Sequence, residues 1–106
     1  MKNLKDITQA FEACIVNCEI CITDCIIQQN NECIAICRDC VDLCALGLHF
    51  VARGSKYKMD LYAICAKVCS ACADECAKHA AHHHCCKECM NTCKHCAFLC
   101  NELIAA

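Results

Sequence analysis

The stretch CIVNCEICITDC, residues 14–25, places Cys14, Cys18, Cys21 and Cys25 at steps of four, three and four. Alternating steps of three and four repeat every seven residues and put all four thiols on one face of a helix. The same spacing returns at Cys33, Cys37, Cys40 and Cys44, and again at Cys65, Cys69, Cys72 and Cys76. A fourth row reads Cys86, Cys89, Cys93, Cys96 and Cys100, with Cys85 beside it. Four rows of this kind predict four helices, each turning a stripe of sulfur toward a shared core.

The punctuation between the rows agrees. Proline is absent and glycine occurs only twice, as Gly47 and Gly54. Gln28-Gln29-Asn30-Asn31 separates the first two rows, with Asn30 or Asn31 suited to cap the second helix. Arg53-Gly54-Ser55 separates the middle pair, with Gly54 as a C′ residue and Ser55 as an N-cap. His79-Ala80-Ala81-His82 joins the last two more loosely. The expected helices span about 4–28, 31–53, 56–79 and 82–104. Short connections make neighbours antiparallel. The expected fold is all-α, an up-down-up-down four-helix bundle forming one domain over residues 1–106. The two halves read as matched hairpins, as an internal duplication would leave them.

The rest of the sequence tests this register. Treating the cysteines as a and d extends the seams through Leu4, Ile7 and Phe11, through Gly47 and Val51, and to Tyr62 and Leu103. All of these fall at one end of the bundle. Glu12, Glu19, Glu32, Arg38, Asp39, Asp42, Lys67, Asp74, Lys78, Lys87, Glu88, Lys94 and Glu102 fall at b, c or f. At the other end the seams run into Gln28, Asn30, His79 and His82. The core is thus expected to be plugged by hydrocarbon at one end and to open among polar residues at the other.

Composition limits the functions. The chain has 106 residues, 10 basic and 12 acidic, with no basic run, so nucleic acid is not an expected partner. No apolar run approaches the roughly 20 residues of a membrane span. The start, Met1 to Asp6, lacks the apolar core of a secretory signal, so a cytoplasmic location is expected. There thiols stay reduced, and 18 cysteines at regular helical spacing point to metal rather than to disulfides. A hydrocarbon core would also be thin, since tryptophan is absent and there are only 3 phenylalanines and 2 tyrosines.

Thiolate is a soft ligand that selects copper(I), zinc or iron–sulfur clusters. Iron–sulfur clusters need four converging cysteines at discrete places, which a continuous column does not define. Zinc needs four ligands per ion, so neutralising the column with zinc would force extensive thiolate bridging. Copper(I) is satisfied with two or three ligands, and a pair such as Cys14/Cys18 or Cys96/Cys100 can clasp one ion. One monovalent ion per thiolate neutralises the core with roughly 18 ions. Copper(I) is therefore the expected cargo, and a zinc or general heavy-metal buffer resembling metallothionein in role is the alternative. The CxxC spacings lie mid-helix on the seam, away from the helix N-termini that activate thiolates, and no nucleophile is paired with a base. No enzyme is expected.

His79 and His82 sit on the seam at the open end and are candidate ligands; His83 is adjacent, while His84, His49 and His95 point outward in this register. Met90 flanks the thiols as a soft ligand or as packing. Cys85, at g, is read as a peripheral ligand, with an exposed thiol as the alternative.

The pattern resembles the bacterial copper storage proteins, and within them the cytosolic branch. The resemblance spans essentially the whole chain: four CxxxCxxCxxxC-type helices, an apolar plug and a histidine-bearing mouth. It implies copper(I) loading along the core, all 18 cysteines as ligands, His79 and His82 at the mouth, and assembly as a homo-oligomer, typically a tetramer. The apolar residues Ile15, Ile20, Ile22, Ile26, Ile27, Ile34, Ile36 and Leu43 lie off the seam; some seal neighbouring helices, and the remainder is read as a partner surface, with ordinary partial exposure as the alternative.

Overall fold

A computed structural model describes residues 4–106; the reading of Met1, Lys2 and Asn3 as the run-in to the first helix lies outside the described residues. Four helices follow in order: α1 Leu4–Gln28, α2 Asn31–Ala52, α3 Lys58–Ala77 and α4 His84–Ala105. Each packs along two neighbours, α1 on α2 and α4, and α3 on α2 and α4. The described bundle measures 40 × 19 × 19 Å, the length expected of a 25-residue helix at about 1.5 Å per residue.

The first two helices begin where the pattern places them, and α2 ends one residue short of its expected end. Gly54 closes α2 with φ +61°. The Gly54 N–H donates to the Val51 carbonyl and the Ser55 N–H to the Phe50 carbonyl, at 3.1 and 2.9 Å. This is the paired bonding of a glycine C-cap. Gln29 performs the same task after α1 at φ +59°, with the Asn30 N–H donating to the Cys25 carbonyl at 2.9 Å. Asn30 occupies the N-cap position of α2, but its side chain makes no capping bond.

The second hairpin departs from the expected 56–79 and 82–104. Ser55 does not cap α3 directly. Its Oγ accepts from the Tyr57 N–H at 3.1 Å, and this local turn delays the helix to Lys58. At the far end the Lys78 and His79 N–H groups donate to the carbonyls of Glu75 and Cys76. Those tighter three-residue steps close α3 at Ala77. The His82 and His83 N–H groups then both turn back to the His79 carbonyl. Extended His83 becomes the N-cap, and α4 starts at His84. With no glycine or proline here, these turns are made by backbone bonding alone, so they left no mark in the spacing.

The plug forms as expected at Ile7, Phe11, Val51 and Tyr62, all 3% exposed or less. Leu103 packs against it half-buried. Leu4 does not join; it lies on the first turn of α1 with 57% of its surface exposed. Gly47 is part of the plug because the Phe11 ring lies across it, so close that a Cβ there would stand 2.5 Å from Phe11 Cε2. Leu61 and Leu99, with the small Ala10, Ala66, Ala73 and Ala97, fill the gaps between the seams.

Candidate metal centre

The heptad spacing brings the thiols to the axis. Seventeen of the eighteen are buried, and Cys85 alone is half-buried. Neighbouring sulfurs stand 3.5 to 4.0 Å apart, as in Cys18–Cys89 at 3.5 Å, Cys40–Cys69 at 3.6 Å and Cys33–Cys37 at 4.0 Å. Two sulfurs that far apart can touch one ion at a metal–thiolate distance of about 2.3 Å each.

The sulfurs fall into groups of four whose members all lie within 4.8 Å of one another. At the open end stand Cys21, Cys25, Cys33 and Cys86; next come Cys21, Cys33, Cys37 and Cys76. Cys37, Cys72, Cys76 and Cys89 follow, then Cys18, Cys72, Cys89 and Cys93. Each group shares two sulfurs with the one before it. Toward the plug, Cys14, Cys44, Cys69 and Cys96 take one thiol from each helix. Cys40 bridges to them, 3.8 Å from Cys93 and 3.6 Å from Cys69. The result is a continuous ladder of sulfurs, its outer groups overlapping and Cys40 linking them to the last.

At the plug end the thiols turn to backbone. Cys14 donates to the Thr92 carbonyl at 3.4 Å and Cys65 to the Leu43 carbonyl at 3.6 Å. Cys100 is fully buried beside them.

His79 and His82 are placed differently from the register, while His84, His49 and His95 face outward as it expects. His79 lies half-buried in the turn after α3, its Nε2 3.3 Å from Glu75 Oε2. His82 is exposed in the same connection, and His84 pairs with Glu88 at 3.6 Å on the surface. His49 and His95 are exposed, and Met90 is half-buried against the core. Gln28 is exposed and Asn30 half-buried at this end.

One contact escaped the pattern. Cys85 donates its S–H to Asp24 Oδ2 at 3.2 Å and lies 4.0 Å from Cys86 Sγ. Asp24 and Cys85 both occupy g positions, on helices that pack side by side near the same end, and this shared position was the available signal.

Without cations the thiols at the open end, Cys25, Cys85 and Cys86, hold their protons. Burial pushes Cys25 up to about 12 and Cys86 up to about 11. Burial also raises Cys85 to about 12, helped by its bond to the Asp24 carboxylate. Metal uptake must therefore expel protons. An unfolded thiol ionises near 9, so from that pH upward the unfolded chain loses protons that the fold retains. This contribution to stability is complete below pH 9 and is lost as pH rises toward about 12. The urea midpoint of reduced, metal-free protein should fall between pH 8 and about 10.5. A midpoint that rises over that interval would show that Cys25, Cys85 and Cys86 are ionised in the fold.

A buried ladder of sulfur in a four-helix bundle defines a multi-ion, soft-metal-binding protein. A family model, Csp, copper storage protein, matches residues 1–105, and the chain belongs to that family. It is similar to solved structures of apo copper storage protein 3 from Bacillus subtilis (31% identity, 96% of this chain and 99% of that one, TM-score 0.89) and of its Cu(I)-bound form (32%, 96% and 97%, 0.88). A cytosolic copper storage protein from Streptomyces lividans with five coppers matches at 30% identity, over 96% of this chain and 92% of that one, with a TM-score of 0.90. No curated protein matches the sequence.

Proposed function

We propose that this protein stores copper(I) in the cytoplasm, holding many ions between cysteine thiolates along the bundle axis. The observation that carries this reading is the ladder of shared four-sulfur groups. Copper(I) rather than zinc fits it because low-coordinate ions can share sulfurs repeatedly, and monovalent charge balances each thiolate. A solved relative is Cu(I)-bound, and the Streptomyces lividans protein is described as loaded with 10 copper equivalents.

The ligands are Cys14, Cys18, Cys21, Cys25, Cys33, Cys37, Cys40, Cys44, Cys65, Cys69, Cys72, Cys76, Cys85, Cys86, Cys89, Cys93, Cys96 and Cys100. His79 and His82 serve the rim, His79 after release from Glu75. The role is buffering and detoxification, without catalysis. The cytoplasmic location follows the description of the Streptomyces relative as cytosolic; no helix among the described residues is long and apolar enough to cross a membrane.

The protein works as a homo-oligomer, by resemblance a tetramer. Ile22 is buried within the bundle, and Ile15, Ile34, Ile36 and Leu43 pack partly against it. Ile20 and Ile26, each 54% exposed, and Ile27, at 78%, leave an apolar face on α1 for another copy.

Anaerobic titration of the reduced apoprotein with copper(I) is expected to show tight uptake approaching one ion per thiol, roughly 18 in all. Saturation at one or two ions would overturn the storage reading, and retention of zinc against limiting copper(I) would overturn the choice of metal.

A further inference from the structure

One cysteine of the column is only half-buried. Seventeen cysteines are buried, and Cys85, beside the outermost group, is the one most open to an ion arriving from solvent. Cys85 sits on the first turn of α4. Its sulfur is 4.0 Å from Cys86 Sγ, and Cys86 Sγ is 3.7 Å from Cys21 Sγ. Cys86 and Cys21 both belong to the outermost four-sulfur group. The half-buried Asp24 holds the outer side of Cys85 at 3.2 Å, and its carboxylate is itself braced by the Gln28 amide.

We propose that Cys85 and Asp24, facing each other across α1 and α4, form the receiving site through which copper(I) enters the thiol column. This rests on the storage reading above. Asp24 is a positioning residue: its negative charge draws a cation to the spot and fixes the direction of the Cys85 sulfur. Cys85 takes the ion as its thiolate, releasing its proton to water. At 4.0 Å, Cys86 can bind the same ion before Cys85 lets go. The new sulfur–copper bond forms as the Cys86 proton leaves, the old bond breaks, and the metal stays copper(I) throughout. Sharing of Cys21 and Cys33 between the first two groups then passes the ion inward. The way in is thus lateral, at the α1–α4 seam, with the histidine turn beside it in a secondary role. His79 is engaged by Glu75, and His82 is exposed in the connection.

The test separates rate from capacity. Reduced apoprotein is mixed anaerobically with copper(I) held by a chromogenic chelator. Loss of the complex's colour gives the rate, and metal analysis gives the final load. Cys85→Ala should slow uptake by about tenfold or more while lowering the final load by no more than about one ion, because capture next to the column raises the local ion concentration. Asp24→Asn should slow uptake severalfold, with final load and apoprotein melting unchanged. That split excludes a purely structural role. The His79→Ala/His82→Ala double variant should slow uptake less than Cys85→Ala does. Uptake by Cys85→Ala at the wild-type rate, or a larger slowing in the histidine variant, would overturn the proposal. In either case a full final load leaves the storage reading intact, whereas a wild-type protein that takes up almost no copper removes that reading itself.

Discussion

Loading the reduced apoprotein with copper(I) should raise its melting temperature by at least about 20 °C. The empty core is weak for its size. Its largest fully buried side chains after Phe11 and Ile7 are cysteines, small groups that bury little hydrocarbon. Every ion that binds the fold in preference to the unfolded chain adds stability by mass action, about 2.7 kcal/mol per site when free ion exceeds its dissociation constant a hundredfold. Unfolded CxxxC segments also bind copper(I) and reduce the gain. They lack the partners that the fold supplies from other helices, as when Cys14, Cys44, Cys69 and Cys96 converge from four. A few such increments already rival the roughly 5–15 kcal/mol stability of an ordinary domain. Anaerobic melts followed by helical circular dichroism, with and without copper(I), measure the difference. Coincident melts would mean that the ions are held outside the core, and a chelator that strips the metal should return the loaded curve to the apo one.

The thiol column was legible because its signal is periodic. Each cysteine row advances by threes and fours, so position alone aims the sulfurs at the axis, and Gly54 marks the end of α2 in the sequence itself. What the spacing could not carry was bonding that is local or lateral. Ser55 holds back the start of α3 through one side-chain acceptor. The turns from Lys78 to His83 use only backbone groups, which every residue has. As a result His79 and His82, on the seam by extrapolation, lie in a connection instead. The extrapolation failed at Leu4 too, because a heptad continues on paper after the last turn that a partner helix covers. Asp24 was hidden for a different reason: a g position carries a charge in many bundles, and its meaning came only from the thiol at the facing g position of α4.

The packing of Phe11 over Gly47 is another feature that no periodicity shows, and it should dominate the stability of the closed end. Gly47→Ala would place a methyl group 2.5 Å from Phe11 Cε2 and 2.6 Å from Cζ. Phe11 is completely buried and cannot swing aside into solvent, so the substitution should cost about 1–3 kcal/mol as overpacking. This outweighs the gain of up to about 1 kcal/mol that alanine ordinarily brings to a helix interior over glycine. Phe11→Ala should cost about 3–5 kcal/mol by emptying the plug. The double variant should then be no less stable than Phe11→Ala alone, because the methyl group of residue 47 enters space that the ring has left. Urea midpoints of the metal-free, reduced proteins close the cycle, and strictly additive losses would show that the two residues do not share one space. The plug also has a consequence for cargo. With Phe11 in place, the plug closes the near end to ions held beside Cys14, Cys65 and Cys100. Phe11→Ala gives them a second exit, so a copper(I) chelator should strip the loaded variant faster than the wild type, while Gly47→Ala, which keeps the ring, should not show that acceleration.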